Sequence, residues 1–483
     1  MGESSCLLVR ALFLRGLGLI YGIAFLSLGV QVEGLVGREG ILPVAELLEG
    51  VRERAGEPAW WALPTLCWLD SSDLMLRLLC GGGALLSLLL VAGIAPALVL
   101  GLLWVFYLSL VVAGQDFLSF QWDILLLETG FLAVCWAPLT LKPRLVWTGA
   151  PLRVVLWLLR LLLFRLMFSS GLVKLLSGDP TWRGLTALHF HYQTQPLPAW
   201  TSWYAHQLPG WLHTASVGAM FACELVVPFC VFAPRRWRLW GVGLMALLQG
   251  GIAATGNYGF FNLLSVLLCL VLLDDGALGR LRLFQGREVR GRSPSWPRPV
   301  VWPVAGLVLL LGVFQLARTA RLKVPWPGAM IQLYTWCRPY YLVNAYGLFA
   351  VMTTQRPEIV VEGSADGREW RPYEFRWKPG EPGRAPSFAQ PHMPRLDWQM
   401  WFAALRTYED YPWFLNFMVR LLQGTPQVLE LLERNPFPEG PPRYVRGRLY
   451  EYRFTDWQGR QEGQWWQRQE LGLYCPILSL GKG

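Results

Sequence analysis

A succession of apolar runs most constrains what this chain can fold into. They lie at about 75–93, 97–113, 123–139, 154–176, 212–233, 239–255, 259–273 and 300–317, after a first one that follows Arg10 and Arg15 and ends near Val32. Most run about 16–23 residues, close to the ~20 that an α-helix needs to cross ~30 Å of hydrocarbon. In hydrocarbon the backbone must bond to itself, so runs of this length specify helices. The first run resembles a signal peptide, but no small-residue cleavage site follows and it is long enough to span, so it reads as an uncleaved helix. With 53% hydrophobic and 16% charged residues against about a quarter charged in soluble domains, the expected fold is a polytopic α-helical membrane protein of about nine spans.

The formal charge of +10 does not form a nucleic-acid patch, because the basic residues sit in short loops between apolar runs. Alternate loops carry Lys142, Arg144 and Arg153; Arg235, Arg236 and Arg238; and Arg280, Arg282, Arg287, Arg290, Arg292 and Arg298. The opposite loops hold Glu33, Glu39, Glu46, Glu49, Glu53, Glu57 and Asp70, then Asp116, then Asp179, although Arg38, Arg52 and Arg54 share the first of them. The positive-inside rule therefore predicts a cytoplasmic N-terminus, a multispan region over 1–318 and an extracytoplasmic segment over 319–483. Most of the nine cysteines lie inside apolar runs without ligand spacing, which predicts neither zinc nor a disulfide scaffold, nor any other cofactor; Cys337 and Cys475 are candidates for a pair in the tail.

The tail is a different material. Residues 356–380 read as two strands around the Asp366-Gly367 turn, 396–405 and 414–422 as amphipathic helices, and 444–454 as a strand with one wet face. Gly463–Arg468 is expected to pair with that strand, giving an extracytoplasmic α+β domain with a β-sandwich-like sheet.

Between the fifth and sixth runs lies the densest cluster of chemistry. Lys174 ends a long apolar run, Asp179-Pro180 breaks it, and Trp182, Arg183, His189, His191 and Tyr192 follow. Glu128 falls inside the fourth run, where a lone carboxylate is costly, so it is expected to be protonated or to pair with Arg160, Arg165 or Lys174. Together these residues predict one polar cavity holding Glu128, Lys174 and the Trp182–His191 loop. An HxH pattern alone does not make a metal site, and none is expected. Glu224, Asn257 and Asn262 are further inward-facing polar residues. No GxSxG, HExxH, Walker loop or post-strand GxGxxG occurs, which excludes a conventional hydrolase, kinase or dehydrogenase.

Stretches along the whole chain resemble one family, the lipase maturation factors. They include GREGILP (37–43), FQWDILLLETGFLAV (120–134), LLFRLMFSSGLVKL (162–175), WRGLTALHFHYQTQPLP (182–198), ELVVPF (224–229) and GNYGFFNLL (256–264). In the tail they are NAYGLF (344–349), VEGSADGREWRPYEFRWKPG (361–380), RLDWQMWFAAL (395–405), YVRGRLYEYRF (444–454) and QWW (464–466). The resemblance implies a multispan protein of the endoplasmic reticulum membrane with a lumenal C-terminal domain. It also implies a chaperone-like folding role in which secreted dimeric lipases reach their active assembly. Its partners would then be a secreted lipase, or another secreted client, and membrane lipids. The chain stops soon after the tail's last strand, and Asn257, Asn262, Asn344, Asn416 and Asn435 all lack Ser or Thr two residues on. These two features point to a bacterial member in a plasma membrane with its own client.

A folding factor rather than an enzyme is the leading expectation. Trp370, Trp377, Trp398, Trp401, Trp465 and Trp466 are candidate client anchors, because tryptophan is over-represented at interface hot spots, and any one of them can instead belong to the tail's own core. The alternative is a membrane enzyme. GLVKL at 171–175 resembles the segment of vitamin K-dependent carboxylase that carries its lysine base, which would make Lys174 a base acting on a lipid or quinone-like substrate.

Overall fold

The computed structural model describes residues 6–56, 59–144, 146–147, 152–279 and 294–481. All nine apolar runs are helical: α1 (Leu7–Gly29), α2 (Asp73–Ala92), α3 (Pro96–Ala113), α4 (Gln121–Trp136), α5 (Arg153–Leu176), α6 (Gly210–Phe221), α7 (Arg235–Thr255), α8 (Phe261–Cys269) and α9 (Arg298–Thr319). Among the described residues six are long and apolar enough to cross a membrane: α1, α2, α3, α5, α9, and α6 taken with its continuation to Phe232. The other three depart from that for visible reasons. α4 is only 16 residues long, α7 opens on three arginines, and α8 is short.

Local chemistry sets the helix ends. Ser72 Oγ accepts the Met75 N–H at the start of α2, and Gly93 closes α2 in the left-handed region (φ 80°), which favours glycine. Pro96 then starts α3, since its missing N–H is not needed in a first turn. The first three amides of α1 (Leu7, Leu8 and Val9) donate to the Asp275 carboxylate at 2.8–3.1 Å, a charge suited to a helix N-terminus.

The basic loops gather at that same end. Arg15 donates to the Arg144 carbonyl (2.7 Å), Arg10 to Trp147 (3.0 Å) and Arg235 to Asp274 (2.9 Å). Arg280, Arg282, Arg287, Arg290 and Arg292, and likewise Glu57 of the opposite loop, lie outside the described residues.

At the other end sits the tail. Its sheet has the order β2-β1-β5-β6, all antiparallel, from β1 (Pro357–Ser364), β2 (Arg371–Pro372), β5 (Tyr444–Phe454) and β6 (Trp466–Leu478). A two-stranded ribbon joins β3 (Glu374–Phe375) to β4 (Leu432–Arg434). The Asp366-Gly367 turn forms as expected: Asp366 Oδ1 accepts from the Arg368 and Glu369 amides, and Gly367 takes φ 76°. Trp466 pairs with Phe454, and the strand continues well past it. The β-sandwich expectation is corrected: one four-stranded sheet is covered by α10 (Arg395–Ala404) and α11 (Pro412–Gln423) instead of by a second sheet. The hairpin's return strand is short, Arg371–Pro372, with one further bond from the Tyr373 amide to the Val361 carbonyl (2.9 Å). Cys337 and Cys475 are unbridged.

The tail and the helix bundle share one hydrophobic core. Trp122 of α4 meets Trp398 of α10 edge-on at 4.8 Å, and Phe117 meets Trp413 at 5.7 Å. Polar joints reinforce the contact. Arg395 clamps Asp123 bidentately, both bonds 2.8 Å, with Tyr107 donating to the same carboxylate. Arg356 donates to the Gln193 and Pro196 carbonyls, Trp401 to Thr194, and Asn257 to Ser387. These burials correct the expected client anchors. Trp398, Trp401, Trp465 and Trp466 are buried in the fold, so their rings are consumed by its own packing. Only Trp377 and Trp370 are partly open, and Trp370 is stacked under Arg446 at 3.9 Å.

Candidate functional site

α5 carries three buried cations: Arg160 donates to the Val271 carbonyl (2.9 Å), and Arg165 and Lys174 have each found a carboxylate. Arg165 sits against Glu128 of α4 at 2.8 Å. The second Glu128 oxygen accepts from the Asn344 amide (2.9 Å) and the Tyr346 hydroxyl (2.7 Å), while Arg165 also donates to the Asn344 carbonyl (2.8 Å). NAYGLF at 344–349 is therefore threaded into the bundle, where it helps saturate a buried ion pair.

Lys174, on the last turn of α5, pairs instead with Glu224. Its Nζ donates to the two Glu224 oxygens at 2.8 and 3.0 Å and to the Ser170 carbonyl at 3.1 Å, and lies 5.6 Å from the centre of the Trp182 ring. The expected Glu128–Lys174 contact is corrected accordingly. Glu224 reaches Lys174 because the helix widens into a π-turn at Ala222–Val226, which re-aims its side chains. Pro228 supplies a cause, since it cannot donate to the Glu224 carbonyl. Gly171 allows the two helices to approach: a Cβ there would stand 2.8 Å from Leu225 and 3.0 Å from Glu224.

Past Lys174 the chain reverses through Gly178 (φ 84°), and Asp179 Oδ1 accepts the Thr181 amide, so Pro180 opens a short turn that buries Trp182. The helix Leu188–Thr194 then separates the two histidines. His189 meets the His213 ring edge-on at 5.0 Å, and Arg183 is exposed. His191 faces Tyr258, whose hydroxyl lies 3.2 Å from Nε2. That hydroxyl donates to Gln195 Oε1 (2.9 Å), so the hydrogen between Tyr258 and the imidazole belongs to His191 Nε2.

The result is a cavity of about 680 Å³ enclosed by α5, α6, α7 and this loop. Lys174, Glu224, Trp182, His191 and Tyr192 line it together with leucines, methionines and Phe261. Glu128, Arg183 and His189 are not among its lining residues. The sequence reading missed Tyr258, Gln195 and Gln249, and it left Glu224 without its partner; the proline four residues after Glu224 was the available signal. Chemically, the Lys174 ammonium has an acceptor for each of its three hydrogens. This arrangement favours a structural ion pair over a base, which would need a free lone pair.

Three half-buried histidines make stability pH-dependent. Burial pushes His191 down to about 4, helped by the Lys174 charge; burial, then His213 and His189, does so for His206; burial, then Arg395 and Arg376, does so for His392. Between ~6.5, the ordinary histidine value, and about 4 the unfolded chain binds more protons than the folded one, so stability falls as pH drops through that window. Melting temperatures of the detergent-purified protein at pH 7.5, 6 and 4.5 should decline steadily. A flat profile would contradict the burial of these rings.

Comparisons with known proteins give one answer over almost the whole chain. The lipase maturation factor transmembrane domain matches residues 8–280, and the lipase maturation factor C-terminal domain matches residues 342–476. Lipase maturation factor 2 of Gallus gallus is 38% identical over 98% of this chain and 81% of its own length. For lipase maturation factor 2 of Homo sapiens the figures are 38%, 98% and 83%, and for lipase maturation factor 1 of Bos taurus 39%, 98% and 89%. No solved structure matches.

Proposed function

Because this chain belongs to the lipase maturation factor family, we propose that it assists the folding and assembly of a secreted lipase, or of another secreted client, from within a membrane. The observation that carries the reading is the match to both family domains in their order, to relatives named for that role. In this reading the chain crosses the membrane nine times, with the basic loops cytoplasmic and the tail outside. The membrane is the endoplasmic reticulum in a eukaryote and the plasma membrane in a bacterium.

Client contact on this reading falls to surface the fold leaves open. β6 is an outer strand of its sheet, and among the described residues no strand pairs with its far edge. Leu471, Leu473 and Ile477 on it are each more than half exposed. Exposed apolar edge strands suit an incompletely folded chain, which can add a strand to them. The partly open Trp377 and Trp370 belong to the same domain.

The test is co-expression with a secreted dimeric lipase in cells lacking their own maturation factors, scoring secreted activity per unit of lipase protein. The wild-type chain should raise it several-fold, and Leu471→Asp with Leu473→Asp should abolish the gain while a cysteine replacing Asp366 labels only from outside the cytoplasm. No gain from the wild type would sink the maturation role, an undiminished gain in the double variant would sink the edge-strand contact, and cytoplasmic labelling would sink the orientation.

A further inference from the structure

The maturation role makes no use of the cavity beside Lys174, yet that cavity is a built feature. It holds about 680 Å³, within the range of pockets that hold small molecules, and its walls are mainly apolar. A π-turn and a glycine, Gly171, are both needed to bring Glu224 to Lys174 on its wall. Leu244, Leu247 and Gly251 of α7 are among its lining residues, and the wall is open there, with Leu244 45% and Leu247 73% exposed. The α6 span is also the least covered by protein of the six, with 28% of its apolar window buried. A ligand entering there comes from the bilayer.

The charge balance selects among bilayer molecules. Lys174 and Glu224 neutralise each other at 2.8 Å, so the polar end of the cavity carries no net charge. A fatty-acid anion or a phospholipid headgroup would bring an uncompensated charge into a low-dielectric wall, which is costly. A neutral head with a hydroxyl or ester group fits, because its partners are present: Gln249 Nε2, whose acceptor is the weakly accepting Met167 sulfur at 3.8 Å, and the hydroxyls of Tyr192 and Ser216. We propose that this cavity binds a neutral single-chain lipid, with its hydrocarbon among the leucines of α5 and α7 and its hydroxyl or ester head beside the Lys174–Glu224 pair.

The experiment uses the full-length protein in nanodiscs and two photoactivatable, alkyne-tagged probes of equal chain length, a monoacylglycerol and a fatty acid. In the wild type the monoacylglycerol should label cavity-facing peptides of α6 and α7 about tenfold more strongly than the fatty acid, and excess untagged monoacylglycerol should compete. Gly251→Trp should cut this labelling about tenfold, because a Cβ at Gly251 meets open space and its ring can fill the mouth without displacing the core. Glu224→Gln leaves the ammonium uncompensated and should reverse the preference in favour of the fatty acid. Labelling spread over outer helix faces and untouched by Gly251→Trp would overturn the proposal, as would equal labelling by both probes in the wild type. Should Glu224→Gln fail to fold, the mouth variant and the wild-type preference still decide the matter.

Discussion

Glu128→Gln on its own is expected to destabilise the protein by about 3–5 kcal/mol, because it leaves the buried Arg165 guanidinium without its counter-charge. Arg165→Met strands the carboxylate instead, with a loss of similar size, whereas the double variant leaves no charge unpaired and should lose less than the sum. The same pattern should hold for Lys174→Met and Glu224→Gln, also joined at 2.8 Å. In both cycles the coupling should fall at about 0.5–3 kcal/mol. The crossed cycle is the more informative. Glu128→Gln with Lys174→Met removes one member from each pair, and the two effects should simply add, since the structure gives these residues no shared partner. Thermal denaturation of the purified variants measures all three. Strong coupling in the crossed cycle, or none within either pair, would contradict the observed pairing.

Breaking the joint between tail and bundle should have an effect as large. Asp123→Asn removes the charge and one of the two oxygens that Arg395 grips, leaving a single acceptor for Arg395 and Tyr107 to share, in a site with both charged groups buried. A loss of about 3–5 kcal/mol is expected, with the tail becoming protease-sensitive before the bundle melts. Deleting everything after Pro325 should go further. It removes Arg395 from Asp123, Asn344 and Tyr346 from Glu128, and the Ser387–Ala389 backbone from Asn257. The remaining bundle should therefore be recovered at much lower yield than the full chain. Recovery at the full-chain level would show that the joint carries little stability.

Much of this protein was legible in one dimension. The apolar runs specified the helices to within a few residues, because a stretch of that length in hydrocarbon has no alternative to helical bonding. The Asp366-Gly367 turn and the strand over 444–454 followed from turn chemistry and from period-two alternation, both local rules. The sequence also marked where buried charges need partners, since Lys174, Glu128, Glu224 and Arg165 are charges in apolar runs and must meet something. What they meet was settled only by tertiary structure. Lys174 and Glu224 stand 50 positions apart, and they face each other because Pro228 and the π-turn rotate one helix, an effect that residue spacing does not encode. Glu128 lies 216 positions from the Asn344 amide that binds it, so nothing local could show that the tail helps to satisfy a charge in the bundle. The tryptophans carry the same lesson. Composition marks them as suited to anchors or to cores, and the choice rests on which surface another part of the chain covers, which is a property of the packed whole.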